Sequence, residues 1–310
     1  MLNRRNFLRN SGRWAFGAWA LCGWGASAPA VLSNPIAYAT IAWPDDQLDQ
    51  ALETISSLGF RGVQLLGWVR EKYGGSELPR LKERLRVLKL QPVALSCWGL
   101  ELNPHEAGNE VAELRSYATF WQELGGRYLQ VTDGGRPNHQ YTRQELESLG
   151  RRMNALGKQA QDFGLTLGYH PHFNTSGETR EGLGRVLDTT DARYVKLIAD
   201  VGHLMLGGAD PAEVIRTYYE RLVYLHFKDV RKDIAELARR DHDLVREKEY
   251  HFCEIGAGAV DFPRIVQALQ DVGFPGWIIV ELDGNEPPPG GPAESARINK
   301  GALQRLGLSI

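Results

Sequence analysis

Four short segments in the second half of the chain carry the side chains best suited to hold a cation or move a proton: Tyr169-His170-Pro171-His172, Asp200-Val201-Gly202-His203, His226-Phe227-Lys228-Asp229 and Glu281-Leu282-Asp283. They contain four of the chain's eight histidines. Imidazole nitrogen combined with carboxylate oxygen suits a divalent ion such as Mn, Co, Fe, Zn or Mg, and the lack of cysteine in these segments argues against a structural zinc knot. Successive side chains of an extended strand point to opposite faces. His170 therefore shares a face with His172, and His226 with Lys228, whereas Asp229 faces away from Lys228 unless the strand has ended. The candidate metal ligands are His170, Asp200, His226 and Glu281, one per segment, with His172 open as the alternative to His170. Glu281, His172 and Lys228 are the candidate catalytic groups. His203, Asn174 and Trp277 are candidates for holding substrate. Asp229 is equally readable as a cap for a following helix.

These segments meet only if a common scaffold brings their ends together. Apolar, β-rich runs recur at 36–43, 62–67, 92–98, 128–133, 165–172, 195–200, 223–229 and 277–283. Helical periodicity fills much of the space between, at 46–58, 78–88, 106–124, 143–163, 211–219 and 262–272. Gly59, Gly164 and Gly273 stand where helices should end in a left-handed cap. Eight strands alternating with helices predict an α/β chain folded as a single (β/α)8 TIM barrel, whose strand ends share one mouth. A doubly wound open sheet is the rival; it would need a glycine-rich phosphate turn after the first strand, and Trp43-Pro44-Asp45-Asp46 is not one. The long interval between the seventh and eighth runs predicts a charged helical insertion over 231–248 after strand 7, on the catalytic face. Pro287 to Pro292 reads as a stiff loop on that face, and Glu101 and Asp133 as further polar groups at the mouth.

The chain's 310 residues are 43% hydrophobic, which excludes a disordered or collagen-like protein. Three cysteines, Cys22, Cys97 and Cys253, exclude a disulfide scaffold. The net charge of −2 hides an asymmetry: residues 1–30 hold Arg4, Arg5, Arg9 and Arg13 and no acid, so the remainder stands at −6. That acidic balance argues against a nucleic-acid partner. The basic start, the uncharged run from Trp14 to Ala28 and the small-residue site Ala28-Pro29-Ala30 describe an export signal. Asn3-Arg4-Arg5-Asn6-Phe7-Leu8 resembles a twin-arginine signal, which implies the twin-arginine export machinery as a partner and a periplasmic or exported location. The expected organisation is a signal peptide over 1–30 and the barrel over 31–310. Cys97 and Cys253 then sit in an oxidising compartment, with their pairing open.

The stretch from His170 to Glu281 resembles the xylose-isomerase-like sugar phosphate isomerase/epimerase superfamily, and within it the inosose dehydratases. The matching segments are Tyr-His-Pro-His-Phe-Asn-Thr (169–175), Asp-Val-Gly-His (200–203), His-Phe-Lys-Asp-Val-Arg (226–231), Gly-Ala-Gly-Ala-Val-Asp-Phe (256–262) and Gly-Phe-Pro-Gly-Trp-Ile-Ile-Val-Glu-Leu-Asp (273–283). The resemblance implies a divalent-metal enzyme that enolises a keto-sugar or keto-cyclitol, the ion polarising a carbonyl or hydroxyl while a base takes the adjacent proton. Family epimerases pair two glutamates. Here Glu281 fits one position and His170 replaces the other, which favours dehydratase-like elimination with His172 or Lys228 assisting the leaving hydroxyl. Gln64 likewise stands where the family often has an acid. An exported relative of a cytoplasmic dehydratase is expected to meet a different substrate.

Two other classes compete. One is an exported, non-catalytic sugar-binding barrel, with Trp43, Trp68, Trp98 and Trp277 as stacking surfaces. The other is a phosphodiesterase related to endonuclease IV, which would need more ligands and a basic groove. A serine hydrolase has no support, because no G-x-S-x-G elbow occurs. Gly256 and Gly258 lack the partners of a phosphate loop and read as a turn into a helix starting at Asp261-Phe262. Oligomeric state is open.

Overall fold

In the computed structural model, which describes residues 32–103, 108–134, 141–283 and 289–310, eight parallel strands close into a barrel. They are β1 (Ile36–Ala39), β2 (Gly62–Leu66), β3 (Gln91–Leu100), β4 (Tyr128–Asp133), β5 (Thr166–Tyr169), β6 (Val195–Asp200), β7 (Leu222–Phe227) and, eighth around the barrel, β10 (Trp277–Val280). The two strands numbered between, β8 (Asp229–Val230) and β9 (Phe252–Cys253), form a separate antiparallel ribbon. The closed order β1-β10-β7-β6-β5-β4-β3-β2 confirms the barrel and excludes the open sheet. Val31–Ile310 is one compact unit. The expected signal peptide over 1–30 and Pro287 and Pro288 of the expected stiff loop lie outside the described residues. No helix among the described residues is long and apolar enough to cross a membrane.

Alternation along the strands explains why this sequence closes. Ile36 and Tyr38 of β1 pack into the layer beneath the helices, while Ala37 and Ala39 pack inward with Val93, Tyr128, Ile198, Tyr224, Trp277 and Ile279. Those inward residues fill the lower barrel as a dry plug. The plug is tight: a Cβ on Gly62 would lie 2.5 Å from Val93 Cγ2 and 2.8 Å from Trp277 Cζ3, so only glycine admits these side chains there. Trp277 is therefore structural, which corrects its reading as a substrate contact. It opens β10, opposite Tyr224 in register, at the end of the strand away from Glu281. Trp277→Ala should cost about 3–5 kcal/mol of stability in urea titration, the usual loss for a buried tryptophan, with KM unchanged in the folded fraction. A raised KM at unaltered stability would return it to the substrate.

The helices cover the outside: α1 (Leu48–Ser57), α2 (Trp68–Tyr73), α3 (Leu78–Val87), α4 (Glu110–Leu124), α5 (Arg143–Asp162), α6 (Arg180–Asp188), α7 (Val201–Leu206) and α8 (Pro211–Tyr218) precede the ribbon or β7. The three expected caps hold, with φ of 91° at Gly59, 69° at Gly164 and 60° at Gly273. The expected insertion folds as α9 (Lys232–Arg240) and α10 (His242–Val245), framed by β8 and β9; α11 (Phe262–Asp271) and α12 (Gly291–Arg305) complete the coat. The insertion is more than a solvated surface helix. Ile234, Ala235 and Val245 are buried against Phe173, Leu206, Val230, Phe252 and Leu282, so it walls the mouth beside the loop that follows β5.

Candidate metal centre

Above the apolar plug the inward positions turn polar, and the strand registers bring them to one level. Asp200 pairs with His226 across β6 and β7. The His170 amide donates to Val131 O at 2.8 Å and the Glu281 amide to Phe227 O at 3.2 Å, so the ladder still holds both residues one step past the strand ends. Pro171, with no N–H to give, ends the ladder of β5. His170, Asp200, His226 and Glu281 each offer a ligand atom within 4.8 Å of the others, and all four are buried. This is the set expected from sequence; His170 belongs to it, and His172 lies in a neighbouring group with His203 and Asp283.

The contacts inside the cluster are close. His170 Nε2 lies 3.2 Å from His226 Nδ1 and 3.4 Å from Asp200 Oδ2. His226 Nε2 lies 3.2 Å from Glu281 Oε2. Asp200 uses its other oxygen, Oδ1, to accept the amides of Gly202 and His203 at 2.9 and 3.0 Å, capping α7. That cap turns the chain and carries His203 into the mouth, where its ring meets His172 with centroids 3.6 Å apart and planes tilted by 41°.

Burial and charge set the protonation states. Burial lowers His170 to about 4, against the pull of Asp200, so the imidazole is neutral and free to be a ligand. Burial, with His172 and Lys228 adding to it, also holds His203 well below its usual range. Burial alone would raise Glu281, but His226 and Lys228 outweigh it and bring the carboxyl to about 2. Asp200 follows the same pattern: burial alone would raise it, and the Lys228 charge holds it low. Lys228 goes the other way: burial opposes its charge, yet Asp200, Asp283 and Glu281 raise it above its ordinary value. It is a fixed ammonium, poorly suited to releasing a proton.

Three carboxylates, Asp200, Glu281 and Asp283, thus face the one cation Lys228 among the described residues of this cluster. Uncompensated buried negative charge is costly, and a divalent cation between two imidazoles and two carboxylates would offset it. The donor set therefore fits a divalent metal.

Without metal, the neutral imidazoles dictate acid sensitivity. His170 binds its proton at about 4 folded and near 6.5 unfolded, so the unfolded state takes up protons first and stability falls as pH drops from 6.5 towards 4. Metal-stripped protein should lose up to about 3 kcal/mol across that window, and His203 acts in the same direction. Urea midpoints that stay level from pH 7 to 4.5 would contradict this.

Sequence reading left three members of the site unassigned. Gln64, fully buried, accepts from His226 Nε2 at 2.7 Å and donates to Gln130 Oε1 at 3.1 Å and Glu281 Oε2 at 3.4 Å. Gln130 lies 3.3 Å from His170 Nδ1 and accepts from Tyr224 Oη at 2.6 Å. The two amides hold both ligand rings from behind. Asp283 takes Lys228 Nζ at 2.5 Å. The available signal was a polar residue at an inward position of an otherwise apolar strand.

The Asn174 side chain, expected to contact substrate, is engaged by the insertion. Its side-chain oxygen accepts from Arg246 of the insertion and its backbone N–H donates to Glu178 Oε2 at 2.5 Å, in a left-handed conformation with φ of 73°. Asp133 accepts from Tyr169 Oη at 2.6 Å and from the Ser176 amide at 2.9 Å, anchoring the β5 loop. Asp229 caps no helix; it accepts four backbone amides of its own strand and the Gly256–Val260 turn. That turn does lead into a helix capped by Asp261, whose side chain accepts the Arg264 amide at 3.1 Å. Cys97 and Cys253 are both free thiols. Trp43 meets Tyr38 edge-on and Trp98 stacks on Tyr117, which gives both a packing role.

Comparison with known proteins places the chain by family and fold. An inosose dehydratase of Geobacillus kaustophilus (strain HTA426) is 29% identical over 299 residues, covering 88% of this chain and 95% of that protein. The crystal structure of the IolI protein with a bound zinc atom superposes with a TM-score of 0.71 at 18% identity, covering 88% of this chain and 98% of that one. A 3-keto-D-glucoside 4-epimerase from E. coli in its apo form gives a TM-score of 0.67 at 14% identity, covering 88% and 99%. The family model for xylose isomerase-like TIM barrels matches residues 52–301. With its closed barrel, and with imidazoles and carboxylates gathered at the strand ends, the chain belongs to the xylose isomerase-like TIM barrel family.

Proposed function

We propose that the protein is a divalent-metal-dependent enzyme that enolises a keto-sugar or keto-cyclitol and eliminates water from it, acting outside the cytoplasmic membrane after twin-arginine export. The observation that carries the reading is the buried quartet His170, Asp200, His226 and Glu281, with ligand atoms within 4.8 Å of one another. A bound divalent ion would supply Lewis acidity to a ketone or hydroxyl oxygen of the substrate. Two imidazoles in the set favour Mn, Co, Fe or Zn over Mg. The likeness to inosose dehydratases supports elimination. So does His170, which removes the second carboxylate that two-sided epimerisation would use.

The chain's own residues divide the remaining work. His172 donates Nδ1–H to Phe173 O at 2.8 Å, which leaves Nε2 as the ring's lone pair, suited to taking a proton beside a carbonyl and returning it to the departing hydroxyl so that water leaves. His203 presses against that ring and fixes its plane. Lys228 supplies positive charge at a set place, a better role for a raised ammonium than proton donation. The wall formed by α9 and α10 limits water access from one side. The four arginines and the Ala28-Pro29-Ala30 site of the first thirty residues support export.

Metal analysis followed by a mass-resolved screen of keto-sugars, keto-glycosides and inososes tests the reading. A product lighter by one water is expected with metal and none after chelation. An unchanged mass with a rearranged product would replace elimination by isomerisation. Reversible sugar binding without any product would make the barrel a binding protein.

A further inference from the structure

The mouth holds a second constellation. His172, His203 and Asp283 each present a donor atom within 4.8 Å of the others, a set that could hold a divalent ion as the first one could. Lys228 is in contact with both sets. Its ammonium lies 2.7 Å from Glu281 Oε1, 3.3 Å from Asp200 Oδ2, 2.5 Å from Asp283 Oδ1 and 3.1 Å from His203 Nε2. Its Nζ also sits 4.7 Å over the Phe252 ring, and the whole side chain is buried. Three carboxylate oxygens and an imidazole nitrogen around one cation have the composition of a metal shell.

We propose that the Lys228 ammonium occupies what is otherwise a second divalent-cation position, so that the protein loads one divalent ion per chain, and that removing the lysine opens a second metal site at His172, His203 and Asp283. The inference rests on the metal reading given above. In two-metal centres carboxylates bridge the ions. Glu281 has that disposition here, with Oε2 towards His226 at 3.2 Å and Oε1 towards Lys228 at 2.7 Å. Asp200 Oδ2 likewise lies 3.4 Å from both His170 and His226 and 3.3 Å from Lys228.

Charge decides the stoichiometry. Asp200, Glu281 and Asp283 against Lys228 and one divalent ion give a neutral centre. A second divalent ion beside the intact lysine would leave it at +2, in a buried place where net charge is costly. Without the lysine, one divalent ion leaves −1 and two leave +1, so the second ion no longer builds up a large charge, and His172, His203 and Asp283 supply its donors.

The test counts metal and needs no turnover. Wild type, Lys228→Ala, Lys228→Gln and the double variant Lys228→Ala/Asp283→Ala are dialysed against Co2+, freed of excess and assayed for metal per chain, with folding followed by circular dichroism. One ion is expected in wild type, two in Lys228→Ala and one in the double variant. Lys228→Gln, which keeps most of the stem, answers the same question with two ions should the alanine variant not fold. Mn2+-loaded Lys228→Ala should show a spin-coupled pair by electron paramagnetic resonance, and wild type an isolated ion. Two ions in wild type, or one in every folded variant, would overturn this inference alone. No ion in wild type would overturn the metal reading and this one with it.

Discussion

Replacing Glu281 by Gln is expected to lower turnover by more than about a thousandfold and to release the bound metal. Loss of one neutral donor from a preorganised centre already costs roughly 10²–10³ in rate. Glu281 contributes more than a donor: Oε2 faces His226 and Gln64 while Oε1 takes Lys228 at 2.7 Å. The amide is nearly isosteric, so the fold should survive, but the variant removes a charge from the metal site and leaves Lys228 with less to face. His226→Ala should have the same two consequences by deleting an imidazole ligand. Metal content and initial rates, read together on both variants, provide the check. Full activity in a metal-free Glu281→Gln protein would remove metal-assisted enolisation as the mechanism.

Asp229→Ala should cost about 4 kcal/mol of stability. The carboxylate is completely buried, and it accepts amides of Val230 at 2.8 Å, Gly256 at 2.8 Å, Gly258 at 2.9 Å and Val260 at 3.0 Å. Alanine strands those donors, each at roughly 1–3 kcal/mol before water and relaxation recover part of the loss. Asn is scarcely better, since its NH2 group would meet two of the same N–H groups. A Cβ on Gly258 would lie 2.3 Å from Asp229 Oδ1 and 2.2 Å from Val230 O, so Gly258→Ala should strain the same joint. Urea unfolding measures all three variants. A loss below about 1 kcal/mol for Asp229→Ala would mean that the turn finds other acceptors.

Much of this centre was readable because strand periodicity is strict. Tyr128–Asp133 and Val195–Asp200 match their expected bounds, and the alternation that put His226 and Lys228 on one side and Asp229 on the other holds. What escaped reading was decided by tertiary contacts. Helix α7 is six residues long and starts at the carboxylate that ends β6, so Asp200 reads as strand until its side chain is seen accepting two amides. Helix α6 contains Gly182 and Gly184, which weaken its signal. Trp277 lies near a strand end, but the entering one; only chain direction separates a floor residue from a mouth residue. Gln130 has no charge and no motif, and its value comes from the His170 ring beside it. Asn174 sits in a motif, yet Arg246, 72 residues later, claims its side chain.

The ribbon that frames the insertion has a further meaning. Asp229 pairs with Cys253 and Val230 with Phe252, so the chain leaves the barrel and returns to it through adjacent residues. Whatever is carried between those two points, its length does not alter the spacing of the barrel strands on either side. The wall can thus vary in length on a constant frame, provided its buried face keeps its packing on Phe173, Leu206 and Leu282. A lineage could exchange it for longer, shorter or differently charged versions and retune what enters the mouth, leaving the metal quartet and its glutamine supports untouched.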